Sequence, residues 1–291
     1  MKKIAILGCE NSHAATFLDF IYNTDNYRDI EVVGVYSNEP AASKALNEKF
    51  GVKVLDNYDS AVGMIDGLIV TARHGDLHYE YAKPYIESGI PMFIDKPVTI
   101  KESEAVEFMK ELKARGVRMC GGSSLKHDAG VKALKKEHLE EIDGATLGGF
   151  VRAPLDANSV YGGFYFYAPH LVEVVSEIFG KYPLSVEAKR QGKITSVKFN
   201  YDGYSADGMF VDGNYVYYAC RHADKSVKGM NLESTKDNTW FESEFKEFYD
   251  MLNGAPSPVE YADFISSVFV MNAIERSLAS GKEEKLNSYE V

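Results

Sequence analysis

The sequence predicts an α/β fold with two domains, at residues 1–122 and 123–291. Three observations indicate this organisation. At 291 residues the chain is long enough to form two hydrophobic cores. Its first part alternates short apolar runs with amphipathic segments, as a parallel sheet with crossover helices does. In its second part strand-like segments follow one another directly, which indicates an α+β domain whose sheet is largely antiparallel and open-faced.

The apolar runs of the first domain predict its strands in order. Five such runs occur, at residues 4–7, 32–36, 68–70, 92–94 and 117–120. Between the first two runs, Asn11 or Ser12 is the expected N-cap of an amphipathic helix. Pro40 and Gly51 mark the start and the end of the second helix, because proline suits the first turn and glycine ends a helix.

The next two helices have less regular signals. A third helix is expected over residues 78–87, with a kink or break at Pro84. The fourth opens at a capping box formed by Thr99 and Glu102 and ends at Gly116. In a parallel sheet of this kind the ligand crevice lies beyond the carboxyl ends of the strands. The candidate binding loops are therefore residues 8–13, 36–38, 71–78 and 95–97.

The second domain begins with strand-like segments at residues 146–152, 184–189, 194–200, 207–211 and 215–220. Asp202-Gly203 and Asp212-Gly213 are strong hairpin signals between the later strands. A helix is expected at residues 169–179, and two more at residues 241–252 and 260–278. The pattern contains no internal repeat.

Composition and charge exclude several classes of protein. The 43 acidic residues outnumber the 32 basic ones, giving a net charge of -11, which disfavours nucleic-acid binding. Cys9, Cys120 and Cys220 are too scattered for a disulfide scaffold or a structural zinc site. The first apolar run ends at Gly8, and no stretch has the roughly 20 apolar residues of a membrane span. We expect a cytoplasmic protein that binds neither membrane nor nucleic acid.

Three features occur in an order found in a known family. Asp95-Lys96-Pro97 follows the fourth strand, and Gly162-Gly163 precedes His170 on a helix that continues through Glu173. The segment 258–282 leads into a helix and ends in Gly-Lys. With these features the chain resembles the glucose–fructose oxidoreductase, inositol dehydrogenase and rhizopine-catabolism (Gfo/Idh/MocA) family over nearly its whole length.

This resemblance implies a Rossmann-like domain for NAD or NADP at residues 1–122. It implies a C-terminal substrate domain at residues 123–291 whose open sheet packs on another subunit, so we predict a homodimer or homotetramer. The implied reaction is hydride transfer between the nicotinamide and a carbon-bound hydroxyl of a sugar, cyclitol or related polyhydroxylated small molecule.

Lys96 and His170 are the candidate catalytic residues. A cis peptide before Pro97 would turn the Lys96 ammonium into the cleft, where it can stabilise charge on the substrate oxygen. The alternative for Lys96 is a solvated loop lysine. His170 can exchange a proton with the substrate hydroxyl near neutral pH, and its alternative is a capping or core histidine.

An aromatic run before His170 departs from the family pattern. Phe166 stands where the family commonly has an aspartate four residues before the histidine. That aspartate would orient the reacting hydroxyl, so its loss weakens the prediction of catalysis. Tyr165 and Tyr167 are candidate substrate residues, and the run either walls a sugar pocket or packs in the core.

The candidate cofactor residues are those of the strand-end loops, namely Gly8, Asn11, Ser12, His13, Ser37, Asn38, Thr71, Arg73, His74, His78, Asp95 and Lys96. Glu10 and His13 stand where a dinucleotide fingerprint has its second and third glycines, and an acid there repels pyrophosphate unless it points away. Ser37 stands where NAD enzymes have an acid that binds the ribose, which favours NADP over NAD. His78 also has a structural interpretation, at the start of the third helix.

Two further groups carry weaker signals. His74, Asp76 and His78 are metal-ligand types at close spacing, but a catalytic metal would be unusual for the family, so none is predicted. Residues 126–128 either contribute to the substrate pocket or form a solvated hinge. Glu10, His13 and Phe166 motivate an alternative function, that of an inactive ligand-sensing or regulatory protein. A lyase or hydrolase with a tightly held cofactor is a third possibility.

Overall fold

The computed structural model describes residues 1–232 and 239–291. The described residues form a five-stranded and a seven-stranded sheet, in agreement with the predicted α/β fold of two domains. The first sheet has the order β2-β1-β3-β4-β5 and all its pairings are parallel. Its strands are β1 (Lys2–Leu7), β2 (Ile30–Tyr36), β3 (Gly67–Val70), β4 (Met92–Asp95) and β5 (Met119–Gly122). Its helices are α1 (Ser12–Asn23), α2 (Pro40–Phe50), α3 (Asp76–Ala82) and α4 (Glu102–Ala114).

Two helix predictions in this domain need correction. The helix expected over residues 78–87 is in two pieces, α3 and a 3-10 helix at Lys83–Ser88, because Pro84 lacks the N–H that an α-helix would use there. The expected capping box does not form. The Thr99 hydroxyl donates to the Lys101 carbonyl oxygen at 3.0 Å, and α4 begins after Lys101 instead.

The second sheet, within the part of the chain that the structure describes, has the order β11-β10-β6-β9-β8-β7-β12. Its strands are β6 (Thr146–Leu155), β7 (Ser185–Gln191), β8 (Ile194–Asn200), β9 (Ser205–Asp212), β10 (Tyr218–Ala223), β11 (Val227–Asn231) and β12 (Glu284–Lys285). The pairing between β6 and β9 is parallel, and the other pairings are antiparallel. Helices α5 (Ala129–Leu139) and α6 (Phe164–Phe179) pack with this domain.

Several details of this part of the chain differ from the sequence predictions, which did not include α5, β11 or β12. Asp202-Gly203 joins the neighbouring strands β8 and β9 as predicted, but Asp212-Gly213 does not form a hairpin because β6 lies between β9 and β10. The last predicted strand begins at Tyr218 rather than at residue 215. Helix α6 begins at Phe164, ahead of the proline predicted to start it, because the buried Phe164 ring packs on Phe210 and extends the helix.

The two domains are interleaved in sequence. Helices α7 (Thr239–Leu252) and α8 (Tyr261–Phe264) return to the first domain, whereas α9 (Ser266–Ser280) packs mainly on the second domain and places Val268 and Phe269 in the core of the first. Phe245 of α7 packs 5.0 Å from the ring of Phe17 on α1, and a Cβ on Gly67 of β3 would lie 2.4 Å from the Leu252 side chain. A boundary at residue 122 therefore divides the sequence into two segments, but side chains from both segments pack in the core of the first domain. Among the described helices, none has the length and apolarity needed to span a membrane.

Candidate functional site

A cavity of about 630 Å³ lies between the carboxyl ends of the first sheet and the second domain. The loops after β1, β3 and β4 form one wall, and residues 156–161, the start of α6 and the β9–β10 connection form the other. The predicted site residues that it brings together are Asn11, Ser12, His13, Arg73, Lys96, Tyr167 and His170. The topology explains the grouping of the first five, since they follow parallel strands whose ends share one edge, and Tyr167 and His170 face them from α6.

Lys96 lies at the centre of this cavity wall. The Lys96–Pro97 peptide is cis, as the sequence analysis anticipated. The Lys96 ammonium donates to the Phe166 carbonyl oxygen at 3.4 Å and lies 4.8 Å from the centre of the Phe166 ring. Burial lowers the pKa of Lys96, against the attraction of Asp95. A poorly hydrated ammonium in this position is well suited to stabilise an oxyanion.

His170 faces the same cavity from α6. Its Nδ1 lies 2.7 Å from the Ser123 hydroxyl, and its ring packs 5.5 Å from that of Tyr167. Burial lowers the pKa of His170 well below its ordinary value, and the Lys96 charge lowers it further. The imidazole is therefore neutral near pH 7, which is the form that accepts a proton.

The tyrosines on either side of Phe166 take different positions. Tyr167 lines the main cavity, and its role as a substrate residue stays a prediction. Tyr165 turns to another side of α6, where its hydroxyl donates to the Asn272 amide oxygen at 3.2 Å and its ring lines a separate cavity. Phe166 supplies a ring and a carbonyl oxygen to Lys96, where an aspartate was expected from the family pattern.

His13 is buried between two carboxylates. Its Nδ1 lies 3.0 Å from Asp95, and its Nε2 lies 3.1 Å from Glu244 on α7, at ion-pair distance but without hydrogen-bond geometry. Burial alone would lower the pKa of His13, but Asp95 and Glu244 outweigh it and raise the pKa to about 10. His13 is thus a fixed imidazolium at the start of α1. No sequence motif marks Glu244, because its helix is remote in the chain.

Asp95 is fully buried within this cluster. Burial raises its pKa, but the neighbouring His13 outweighs this and lowers the pKa to about 2. Asp95 accepts hydrogen bonds from the Asn11 amide at 2.8 Å and from the Lys96 backbone N–H at 2.7 Å. These bonds tie the loop after β1 to the loop after β4. Asp95 orients its neighbours and has no exposed surface to offer a cofactor.

The loop after β1 has little freedom. Gly8 has a φ of +74°, and a Cβ there would lie 2.3 Å from the Ala72 nitrogen, so this turn needs glycine. The Thr71 hydroxyl donates to the Gly8 carbonyl oxygen at 3.1 Å. Glu10 turns toward the ends of β2 and β3, where it accepts bonds from the Ser37 hydroxyl at 2.6 Å and the Arg73 backbone N–H at 2.9 Å. Ser37 is thereby engaged by Glu10.

A second cavity of about 360 Å³ lies beyond the end of β2. Its polar lining includes Glu10, Asn38, Glu39, His74 and Asp76. Tyr161 lines both this cavity and the main one. The sequence analysis assigned Asn38 and His74 to cofactor binding but missed the acid next to Asn38.

Tyr161 connects the two domains between these cavities. Its hydroxyl donates to Glu39 at 2.9 Å and accepts from the Arg73 guanidinium at 3.1 Å. The Arg73 guanidinium also lies 5.1 Å from the centre of the Tyr161 ring. The loop that carries Tyr161 thus contacts the ends of β2 and β3 together.

His78 lies behind the crevice. It is fully buried, with Nδ1 2.7 Å from the Pro97 carbonyl oxygen and Nε2 2.8 Å from that of Ala72. Burial lowers the pKa of His78, so the neutral ring donates to one of these oxygens. This position supports the structural interpretation of His78. No group of three residues able to hold a metal ion occurs in the described part of the chain.

Comparison with known proteins agrees with the architecture. Residues 2–122 match the sequence model of the Gfo/Idh/MocA family, described as an oxidoreductase family with an NAD-binding Rossmann fold. An oxidoreductase subunit assigned to UDP-kanosamine synthase in Amycolatopsis mediterranei (strain S699) is 27% identical over 129 residues, which are 44% of this chain and 36% of that protein. The uncharacterized oxidoreductase YhhX of Escherichia coli (strain K12) is 25% identical over 128 residues, 39% of this chain and 35% of that protein. The chain thus matches about a third of the length of these relatives.

Solved structures resemble the whole chain. Myo-inositol 2-dehydrogenase from Lactobacillus plantarum superposes with a TM-score of 0.86 at 14% identity, covering 98% of this chain and 99% of that one. Myo-inositol dehydrogenase from Lactobacillus casei, in complex with NAD(H) and myo-inositol, gives 0.85 at 14% identity, covering 100% and 98%. At such identities the likeness establishes the shared fold. Residues 2–122 of this chain thus match the model of the Gfo/Idh/MocA oxidoreductase family, and the chain as a whole has the fold of the inositol dehydrogenases on which it superposes.

Proposed function

We propose that the protein is an NAD-dependent dehydrogenase that oxidises a hydroxyl of a sugar, cyclitol or related polyhydroxylated small molecule. One observation carries the proposal: Lys96 and a neutral His170 face one cavity at the carboxyl ends of an NAD-type sheet. The family of the N-terminal domain supports the reaction class. The structural likeness to a dehydrogenase solved with myo-inositol supports the substrate class.

The residues along the sheet edge fit a dinucleotide. Tyr161 lines both the main cavity and the second cavity, so the two cavities lie next to each other. Together they provide space on both sides of the N-terminus of α1. The carboxylate of Glu10 is satisfied by Ser37 and Arg73, which reduces its repulsion toward a pyrophosphate. Asn11, Ser12 and Lys96 would hold the nicotinamide half, and Asn38 with Glu39 would hold the adenosine ribose.

The second cavity favours NAD over NADP. Glu10, Glu39 and Asp76 line it, and a 2′-phosphate placed beside three carboxylates would be repelled. The same carboxylates can accept hydrogen bonds from the ribose hydroxyls of NAD. The preference for NADP was based on Ser37, whose hydroxyl already donates a hydrogen bond to Glu10. The structure therefore gives a reason to reverse that preference.

The chain's own residues supply the rest of the chemistry. A nicotinamide held along this edge would supply the acceptor for the hydride that leaves the carbon carrying the hydroxyl. His170 Nε2 accepts the hydroxyl proton, and the Lys96 ammonium stabilises the negative charge that develops on that oxygen. Phe166 and Tyr167 provide aromatic surface for the apolar face of the ring substrate. The products are the carbonyl compound, the reduced nicotinamide and a proton on His170.

Lys96→Met tests the proposed role of the ammonium. With NAD and a panel of cyclitols and aldoses, we expect kcat to fall on the order of 10²–10⁴-fold, because charge on the oxygen loses its partner. The exposed Lys101, whose Nζ lies 3.7 Å from Asp76, gives the matched control Lys101→Met, which should keep kcat. Turnover by Lys96→Met at the normal rate would contradict the mechanism.

Glu39→Gln tests the cofactor preference. Removing this charge beside the adenosine ribose should raise the NADP/NAD ratio of kcat/KM on the order of tenfold. The control is Glu48→Gln on the exposed side of α2, which should leave the ratio unchanged. Titration of the purified protein with NADH and NADPH, followed by cofactor fluorescence, checks the same preference without a substrate. Tighter binding of NADPH by the natural protein would contradict it.

Glu10 and Phe166 favour a second candidate function, that of a ligand sensor that has lost its chemistry. An acid beside the pyrophosphate position and the loss of the family aspartate both reduce catalytic capacity. Such a protein would bind a cyclitol or NAD, with an increase in Tm, and would not produce NADH. Production of NADH from any polyol of the panel would exclude this function.

A further inference from the structure

We propose that Ser123 is a positioning residue for proton transfer: its hydroxyl selects the tautomer of His170 and stabilises the imidazolium that forms when Nε2 takes the substrate proton. This inference rests on the proposed dehydrogenase function. It concerns a residue that lies outside the sequence motifs of the first domain and was not among the predicted site residues.

Ser123 is rigidly placed. It follows β5 directly, it is fully buried, and its hydroxyl lies 2.7 Å from His170 Nδ1. Its backbone N–H donates to Glu173 at 2.8 Å, and Glu173 stands on α6 one turn after His170. The serine thus contacts α6 at two neighbouring positions, once through its side chain and once through its backbone.

The preceding glycine allows this close approach. Gly122 has a φ of +84°, and a Cβ there would lie 2.6 Å from a carboxylate oxygen of Glu173. Only a residue without a side chain lets β5 come this near to α6. The distance between Ser123 and His170 is therefore determined by the backbone of both elements.

The hydroxyl has the right chemistry for this role. A neutral imidazole carries one N–H, and a serine hydroxyl can either accept a hydrogen bond from Nδ1–H or donate one to an unprotonated Nδ1. The accepting role is the one that persists when the ring becomes an imidazolium. When Nδ1–H donates to Ser123, Nε2 is unprotonated and can take the hydroxyl proton of the substrate. The positive charge then spreads over both nitrogens, and the serine oxygen accepts the hydrogen bond from Nδ1–H.

The surroundings of His170 make this hydrogen bond important. Lys96 from the β4 loop and the His13 imidazolium from α1 both disfavour a positive charge on His170, and Asp95 favours it. The rings of Tyr167 and Tyr217 pack on its other sides. Within the described residues, Ser123 is the group seen at hydrogen-bond distance from the ring.

The experiment compares Ser123→Ala, Ser123→Cys and Ser123→Thr. Histidine labelled with ¹⁵N, with the His170 signals identified from His170→Gln, reports the tautomer by NMR. We expect the natural protein to show His170 protonated at Nδ1 and Ser123→Ala to lose this preference. Ser123→Thr, which restores a hydroxyl, should return it, and Ser123→Cys should be intermediate.

Kinetics provide the second measurement. Ser123→Ala should lower kcat on the order of tenfold and move the acidic limb of the kcat–pH profile to lower pH, because the imidazolium is less stable. KM for NAD should not change. The control is Ser266→Ala, a buried serine whose hydroxyl donates to the Asp263 carbonyl oxygen at 2.8 Å, and it should keep both the tautomer and the profile.

The two measurements separate the possible failures. A folded Ser123→Ala protein with the natural tautomer and the natural pH profile would overturn the role of Ser123. If the natural protein turns over no polyol, the dehydrogenase proposal fails, and the NMR comparison still decides whether Ser123 selects the tautomer.

Discussion

The carboxylate of Asp95 connects the first helix to the proposed catalytic lysine. It accepts hydrogen bonds from the Asn11 amide and from the backbone N–H of Lys96, and it pairs with the imidazolium of His13. The Glu244 carboxylate lies 3.1 Å from Nε2, on the other side of the same imidazole. The position of Lys96 therefore depends on a buried charge cluster that itself has little contact with the cavity.

Removing the charge of His13 should destabilise the protein. His13→Asn leaves Asp95 and Glu244 facing each other without a cation, and loss of one partner of a buried ionic group costs about 3–5 kcal/mol. Urea denaturation at pH 7 measures this cost. The half-buried Glu242 on α7 gives a control, since Glu242→Gln should change stability by about 0.5 kcal/mol or less.

The same cluster predicts a pH dependence. The pKa of His13 rises from 6.5 to about 10 on folding, so its contribution is complete below pH 6.5 and is lost as pH rises through 10. Asp95 titrates near 2 and Glu244 near 7, so His13 is the member of the cluster that titrates between pH 7 and pH 10. Unfolding free energy should fall over this range in the natural protein and fall less in the double variant His13→Asn, Glu244→Gln, in which the raised carboxyl of Glu244 is also removed. Equal slopes for the two proteins would contradict the paired imidazolium.

The residues that a motif or a strand end marks could be named from the sequence, and several of them line the main cavity. Lys96 and His170 stand in family motifs, and Arg73 follows a strand. Glu39 also follows the end of a strand, β2, but was not named, and Glu244 carried no such mark. Their roles depend on which loops and helices meet in space, and Glu244 is separated from His13 by most of the chain.

At the level of elements, a buried arginine joins β10 to the turn before β6. Arg221 is 2% exposed, and its guanidinium donates to the Thr146 hydroxyl at 2.7 Å and to the carbonyl oxygens of Ile142 and Gly144 at 2.8 Å each. Three acceptors in fixed directions match the planar fork of arginine. This contact secures the turn that leads into β6, an interior strand of the second sheet.

Arg221→Lys should therefore destabilise the protein although the charge is kept. A lysine cannot reach all three acceptors, and the buried carbonyl oxygens left without donors cost about 2–3 kcal/mol. Denaturant titration measures the loss. Arg190→Lys, at a site with a 45% exposed side chain, is the control and should stay close to the natural stability.

Strands were predicted better than helix boundaries. The five strands of the first sheet are apolar runs buried on both faces, a pattern that few other structures produce. The Thr99 capping box failed because a competing hydrogen bond to the Lys101 carbonyl was available. The order of the second sheet was also beyond the sequence, since the parallel pairing of β6 with β9 joins strands that are far apart in the chain.

At the scale of the molecule, the second sheet has one open face. Helices α5, α6 and α9 pack on the other side. The open face carries the half-buried Phe150, Met209 and Tyr218 among charged residues. Such a face is usually covered by another subunit, so the prediction of a homodimer or homotetramer stands.

Analytical ultracentrifugation tests this prediction. The natural protein should sediment as a dimer or tetramer, and Met209→Asp should shift it toward the monomer by placing a charge within the apolar part of the face. Asp59→Asn, on the surface of the first domain, is the control and should keep the natural mass. A natural protein of about one chain mass would contradict the interface.

The interleaving of the two domains also has a consequence for biosynthesis. Phe17 and Phe93 belong to elements made early, but Phe245, Phe248 and Met251, which pack in the same core, are translated more than a hundred residues after β5 is complete. While the ribosome makes the intervening sheet, the nascent first half has an uncovered apolar surface. Its folding must wait for α7, and a chaperone that binds nascent chains is best able to protect it during that interval.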